Sequence, residues 1–381
     1  MDSTSRFAET YGRSPDAVWS APGRANLIGE HTDYNEGFVL PFAITERTAV
    51  AAGRRGDDTI QVTSTSYPAG AGIVGLHRVV PGGAAGWPAY PLGVAWAIAQ
   101  VRPLPPFPGA DLLIDSEVPA GGGLSSSAAL EMAAAGALAD LWGLDLSVPE
   151  LARVGQRAEN EFVGAPTGIM DQYASLLGQP DAAVFLDCRT LEARSVPLRL
   201  APAGLALVLA DTGERHAHAA GAYAARRASC EKAARQLGVP ALRDVETTDL
   251  PRIEGELDDE TFRRVRHVVT ENARVKATVA ALEAGAMKTV GRHLTASHRS
   301  MRDDYEITTP ALDLAVEAAL AAGALGARMT GGGFGGSTIT LIDARRVPAL
   351  RAALENAFAA AGLAPPRVST VTPGPGARKE A

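Results

Sequence analysis

Residues 118–133 read VPAGGGLSSSAALEMA, three consecutive glycines and three consecutive serines running into an Ala/Leu-rich segment. The segment from Ser125, SSSAALEMAAAGALADLW, carries apolar residues at a spacing near 3.6 and predicts a helix. Glycines let the backbone take positive φ and approach a ligand without a Cβ clash, while serines favour the position where a helix begins. Free N–H groups and the positive end of the helix dipole then converge on one spot, the chemistry of an anion site suited to phosphate. The same residues would also make a plain glycine turn with serine caps. The loop is neither a Walker A, since no Lys precedes the Ser, nor a dinucleotide fingerprint, which requires GxGxxG directly after a strand.

Upstream, residues 20–38 (SAPGRANLIGEHTDYNEGF) place Arg24, Glu30, His31 and Asp33 close together before a turn at 34–37. Alone they make a polar loop or one wall of a polar pocket. Downstream, QRAENEFVGAPTGIMDQYASLLG carries Glu159 on a helix expected over 148–162, and Asp171 in the first turn of a helix expected over 167–177. A helix start favours an ionised carboxylate, so Asp171 is expected to stay charged and available as an acceptor at neutral pH. A third glycine segment, MTGGGFGGSTITLI at 329–342, sets five glycines around Phe334 between two β-like runs. That is more than a hairpin needs and points to close backbone approach.

The rest of the chain fits a two-domain α/β protein with strands first and helices after. Short β-rich runs are expected at 48–53, 59–66, 77–80 and 110–118. Helices are expected at 219–237, 259–284, 287–301, 311–322 and 348–361, with a strand at 367–371. A seam near 190–205 divides the 381 residues into domains at 1–195 and 196–372, and residues 373–381 are expected to be disordered. His216 and His218, two residues apart, do not share a helix face and suggest no metal site.

Composition narrows the function class. Apolar residues make up 46% and charged residues 21%, and 36 basic against 43 acidic side chains leave a net charge of −7 with no basic block, which argues against nucleic acid as a partner. No apolar run is long enough to span a bilayer and the N-terminus has no signal-like core, so the chain reads as cytoplasmic with no membrane role. Two cysteines without CxxC spacing argue against a disulfide framework or a structural zinc site.

Together the three segments resemble the galactokinases of the GHMP class of small-molecule kinases. APGRANLIGEHTDYNEGFVLP is similar to their N-terminal signature, GGGLSSSA to the class's phosphate loop and MTGGGFGG to its C-terminal glycine motif, in matching order from about residue 8 to 372. The phosphate loop speaks only for the class; GEHTDYN narrows the resemblance to galactose. The resemblance implies a two-domain GHMP fold, α/β (α+β), with the active site in the interdomain cleft and phosphoryl transfer from ATP to the C1 hydroxyl of galactose. It implies Asp171 as base and Arg24 beside it and the transferring phosphate. Glu30, His31, Asp33, Gly168, Asp171 and Tyr223 would hold the sugar. Gly121, Gly122, Gly123, Leu124, Ser125, Ser126 and Ser127 would wrap the phosphates, with Ser64 near the nucleotide and Mg²⁺ on Ser127 and Glu159. Galactose and ATP are the implied partners, and no obligatory protein partner is evident.

Two departures stand out. Ala25 replaces a frequent Val, and Ser337 stands where a Cys is often found. A kinase for N-acetylgalactosamine or arabinose, or a catalytically silent galactose sensor, would share much of this pattern. A sensor could discard Asp171 or the serines of the phosphate loop, and this chain keeps both.

Overall fold

The computed structural model describes residues 2–67, 72–119, 121–215 and 219–380. His216 and His218 lie outside the described residues. The principal sheet orders six strands as Arg378–Lys379, Ala17–Asn26, Pro41–Arg54, Ala110–Ser116, Thr59–Ser64 and Gly72–Gly75, all antiparallel except the parallel pair Thr59–Ser64 with Ala110–Ser116. The helix Ser126–Trp142 packs across its two central long strands. That helix is apolar on nearly every side, because helices Ala89–Val101 and Val148–Arg157 cover the face the sheet does not. Its Gly136 admits the Trp19 ring, which would lie 2.4 Å from a Cβ there.

A second sheet orders Gly326–Thr330, Gly335–Asp343, Leu205–Arg215 and Arg367–Val371, every pair antiparallel. A small third sheet joins Phe38–Val39, Ala182–Asp187 and Ala193–Pro197. The long helix Asp259–Glu283 runs against Met287–Ser300.

Several expectations shift in detail. Residues 77–80 are no strand: Leu76–Arg78 form a 3₁₀ turn, in which His77 pairs with Asp58 at 2.7 Å, and the strand lies just before it at Gly72–Gly75. The helix expected over 148–162 is α-helical to Arg157 and then widens into one π turn, Ala158–Val163, a change that leaves apolar spacing almost unaltered and so escapes periodicity. The next helix begins at Met170, not 167, because Thr167 spends its N–H and hydroxyl on the preceding turn, at Asn160 and Glu159. Part of the expected seam, Ala193–Pro197, is a strand.

The largest correction concerns the C-terminal tail, expected to be disordered. Gly374 N–H donates to the Ala43 carbonyl (2.8 Å), Gly376 to Gly178 (2.7 Å) and Ala377 to Ser175 (2.8 Å), and Arg378–Lys379 pairs with Ser20 and Trp19. Arg47 clamps the carbonyls of Pro375 (2.6 Å) and Gly376 (2.9 Å). The glycines here serve close approach: a Cβ on Gly376 would lie 2.2 Å from the Leu176 carbonyl. Composition marks such a segment as unable to build its own core, but a free strand edge supplied by the rest of the fold orders it. Among the described residues, no helix is long and apolar enough to cross a membrane.

Candidate active site

The phosphate loop reaches the cleft with Gly121, Gly123 and Ser125 all at positive φ (73°, 75° and 52°), and the helix Ser126–Trp142 follows at once. The loop's carbonyls turn back onto the frame: Gly122 accepts from Ser337 Oγ at 2.6 Å, Gly123 from Arg24 Nη1 at 2.7 Å, and Leu124 from the Arg24 N–H at 3.0 Å. The first-turn N–H groups of the helix have no intrahelical partner and stand at the positive end of its dipole. Ser337, where the resemblance would place a Cys, is thus a side chain that ties the third glycine segment to this loop.

Arg24 owes its direction to a bulge. The pairing of Ala17–Asn26 with Pro41–Arg54 shifts register between Pro22 and Arg24, and Gly23 passes so near the loop that a Cβ would lie 2.6 Å from the Leu124 carbonyl. The guanidinium meets Asp171 in a fork, Nε to Oδ1 at 2.6 Å and Nη2 to Oδ2 at 2.7 Å. Ser125 Oγ also donates to Asp171 Oδ2. Asp171 sits in the first turn of Met170–Leu177, as expected, while Arg24 is 5% exposed.

The residues from the N-terminal signature divide. Asp33 opens a 3₁₀ turn, accepts from the Tyr34 N–H at 2.9 Å, and lies against Gly168, where a Cβ would sit 1.8 Å from Asp33 Oδ2. Only glycine fits there. Burial, and then the charge of Asp171, push Asp33 up to about 6. Glu30 accepts from Gly331 N–H at 2.9 Å, Asn26 Nδ2 at 2.8 Å and the Arg328 guanidinium. Burial pushes Glu30 up, and Arg328 and Gly331 pull against it.

His31 holds a left-handed backbone (φ 61°), and both ring nitrogens are engaged: Nε2 at 3.0 Å from the Gly332 carbonyl and Nδ1 at 2.6 Å from Tyr34 OH. A carbonyl only accepts, so Nε2 carries the proton and Tyr34 donates to Nδ1. Burial pushes the ring down to about 3, so it is neutral. Tyr223 faces it with ring centroids 4.7 Å apart.

Glu159, in the π turn, accepts from Thr167 Oγ1 at 2.7 Å and from Ser127. Burial, then Asp171, raise its carboxyl above the ordinary range. Glu131, fully buried nearby, is pushed well above that range by burial and by Glu159.

Arg24, Glu30, His31, Asp33, Gly121, Gly123 to Ser127, Glu159, Gly168, Asp171 and Tyr223 therefore line one cleft. Two expected residues do not. Gly122, within the loop, turns its carbonyl to Ser337 Oγ. Ser64 ends a strand, with its hydroxyl given to the Ile114 carbonyl (3.0 Å) and accepting the N–H groups of Ser66 and Tyr67. Unforeseen cleft residues are Ala165, Pro166, Thr167, Met170 and Gly331 to Phe334. The last four lie in the third glycine motif, whose crowding of glycines was the available signal; Gly331, Gly333 and Phe334 all take positive φ.

Comparison with known proteins places the galactokinase galactose-binding signature on residues 5–54, the N-terminal domain of GHMP kinases on 89–179 and the GHMP kinase C-terminal domain on 278–360. The chain is 51% identical over 376 residues to a galactokinase of Streptomyces coelicolor, covering 98% of this chain and 97% of that one. A Mycobacterium tuberculosis galactokinase is 46% identical over 94% of this chain and 98% of its own length. In structure the chain is similar to Lactococcus lactis galactokinase complexed with galactose, with a TM-score of 0.94 and 35% identity over 99% of this chain and 98% of that one. A Methanococcus jannaschii mevalonate kinase, 17% identical, shares the fold with a TM-score of 0.63 over 93% of this chain and 97% of that one.

Proposed function

The chain belongs to the galactokinase family of GHMP kinases, ATP-dependent sugar kinases, and we propose that its cleft works as a galactose 1-kinase with Asp171 as the base. The observation that carries this reading is the Arg24–Asp171 fork at a helix start, directly beneath the phosphate loop. The Arg24 guanidinium, forked onto both oxygens of Asp171, fixes the direction of the side chain that accepts the C1 hydroxyl proton. As that proton leaves, the C1 oxygen bonds to the γ-phosphorus of ATP and the bridging P–O bond breaks toward ADP. Little covalent chemistry falls to the protein, and positioning with charge neutralisation does most of the catalysis. The loop N–H groups, the helix start and Arg24 supply the positive side.

A hydroxyl on Ser127 and a carboxylate on Glu159 are hard oxygen donors, and Asp33, Glu159 and Asp171 share the cleft with Arg24, the one Arg or Lys among its described lining residues, so the site suits Mg²⁺. Among the described residues no group of three or more His, Cys, Asp or Glu could hold a metal ion, which leaves most ligands of such a cation to phosphate oxygens and water. Bound there, Mg²⁺ would neutralise charge on the β- and γ-phosphates.

Sugar choice rests on fixed acceptors. Asp33 and Glu30, oriented by donors on the other side, would accept from sugar hydroxyls, with Gly168 and Tyr223 completing the pocket. An epimer that leaves them unpaired carries the penalty of a buried polar group. With its ring committed to Gly332 and Tyr34, His31 serves this pocket as wall and anchor. A coupled ADP-release assay with galactose, glucose, N-acetylgalactosamine and arabinose is expected to show galactose turned over fastest. A preference for another sugar would move the specificity, and no turnover with any of them would point to a sensor.

A pH prediction follows from Asp33. Its carboxyl, raised to about 6 by burial and then by Asp171, takes up a proton as pH falls through that value and ceases to be a pure acceptor. kcat/KM for galactose should therefore decline below about pH 6, since that ratio follows the free enzyme's ionisations. In Asp33→Asn the ratio should be lower throughout, with that limb gone. A wild-type profile flat down to pH 5 would mean that Asp33 stays ionised despite its burial.

A further inference from the structure

Glu159 is backed by two fully buried side chains that do not line the cleft, Glu131 from the helix Ser126–Trp142 and Gln172 from Met170–Leu177. The Gln172 amide nitrogen lies 3.0 Å from Glu131 Oε2 and 3.2 Å from Glu159 Oε2, so its two N–H donors are divided between two acids. Thr167 donates to the same oxygen of Glu159. Gln172 adjoins Asp171 in sequence, so a single helical turn carries one side chain into the cleft and the next behind it, about 100° around the axis. Gly155 packs against this group: a Cβ there would lie 2.3 Å from Met132 Cε, 3.1 Å from Gln172 Cγ and 3.3 Å from Glu131 Oε2. A buried amide and a buried acid are costly in a core that apolar side chains would fill. Gln172 Oε1 and Glu131 Oε1 lack any hydrogen-bond partner, so the pair does not form a self-sufficient polar network. The contact that makes sense of it is the one to Glu159.

We propose that Gln172, backed by Glu131, is a positioning residue for Glu159: it pins Oε2 and so directs the carboxylate toward the cation that accompanies ATP. This rests on the reading of Glu159 as a cation ligand. Partners that orient a ligating carboxylate act through metal affinity, and losing one costs about 10- to 100-fold.

The test is Mn²⁺ binding to the full chain in the presence of ADP, followed by electron paramagnetic resonance, with galactose affinity measured separately by calorimetry. Gln172→Leu should weaken Mn²⁺ binding by about 10-fold or more and leave galactose affinity nearly unchanged. Glu131→Gln, which keeps an acceptor oxygen for the amide, should retain most of the affinity, and Glu131→Leu should lose more. Ser175→Ala, which removes a hydroxyl of the same helix bonded to the Pro22 carbonyl at 2.7 Å, controls for loosened packing. Wild-type Mn²⁺ affinity in Gln172→Leu, alongside a loss in Glu159→Gln, would overturn the positioning role alone. Equal losses of Mn²⁺ and galactose affinity would mark Gln172 as a packing residue and overturn it too. If Glu159→Gln itself binds Mn²⁺ like the wild type, the cation reading fails and this inference falls with it.

Discussion

Asp171→Asn should lower kcat by 10²-fold or more with a far smaller change in KM for galactose, the range expected for a positioned base. The amide occupies the same volume but cannot take the C1 proton, and its NH₂ would confront Arg24 or Ser125, both of which donate to Asp171 in the wild type. Arg24, almost wholly buried, would also lose the counter-charge that its fork is built around. The two effects separate experimentally. Steady-state kcat reports the missing base, while the thermal unfolding midpoint reports the broken ion pair. A variant that phosphorylates galactose at close to wild-type kcat would remove Asp171 from the base role, and positioning alone would then have to carry the reaction.

Arg328→Met should be the most destabilising single change near the cleft. Arg328 is fully buried between Glu30 and Glu271, also fully buried, and donates to Glu30 Oε2 and to the Leu27 carbonyl at 3.0 Å. Burial works against the charge on Glu271, yet Arg274 and Arg328 together hold its carboxyl down to about 2, so it is ionised at neutral pH. Replacing the guanidinium with a thioether of similar length leaves two buried carboxylates short of a partner, a change that costs about 3–5 kcal/mol in comparable sites. Glu30 would then lose its fixed direction, and KM for galactose should rise along with the drop in denaturant midpoint. Arg274→Met, whose guanidinium is partly exposed in its pair with Glu271, should cost clearly less. An Arg328→Met protein as stable as the wild type would mean that the two acids are protonated and indifferent to the cation.

The contrast between these residues shows how much of the site could be read ahead of the fold. Glycine crowding at 121–123 and 331–336 marked both loops, because positive φ and close backbone approach are demands a glycine meets locally. Asp171 was legible as a carboxylate at a helix start. Gln172 and Glu131 were not, since neither residue type carries a local signal and their role appears only through a contact that spans 41 residues. Arg328 was passed over for the same reason, as the cation before a glycine motif. Ser64, carried over from the family pattern, spends its hydroxyl on the turn it ends, and its place beside the nucleotide stays an expectation of the resemblance.

The sequence by itself determined many local conformations and the family: the two glycine loops, most helices, several strands, and a signature specific enough to point at galactose. Those features depend on backbone sterics and on periodicity, which act over a few residues. Only the tertiary structure decided which charges meet. Arg24 finds Asp171 across 147 residues and Glu30 finds Arg328 across 298, and burial then makes each pairing matter by removing the water that would screen it. The tail followed the same logic, since its order comes from the edge of a sheet strand about 360 residues earlier in the chain.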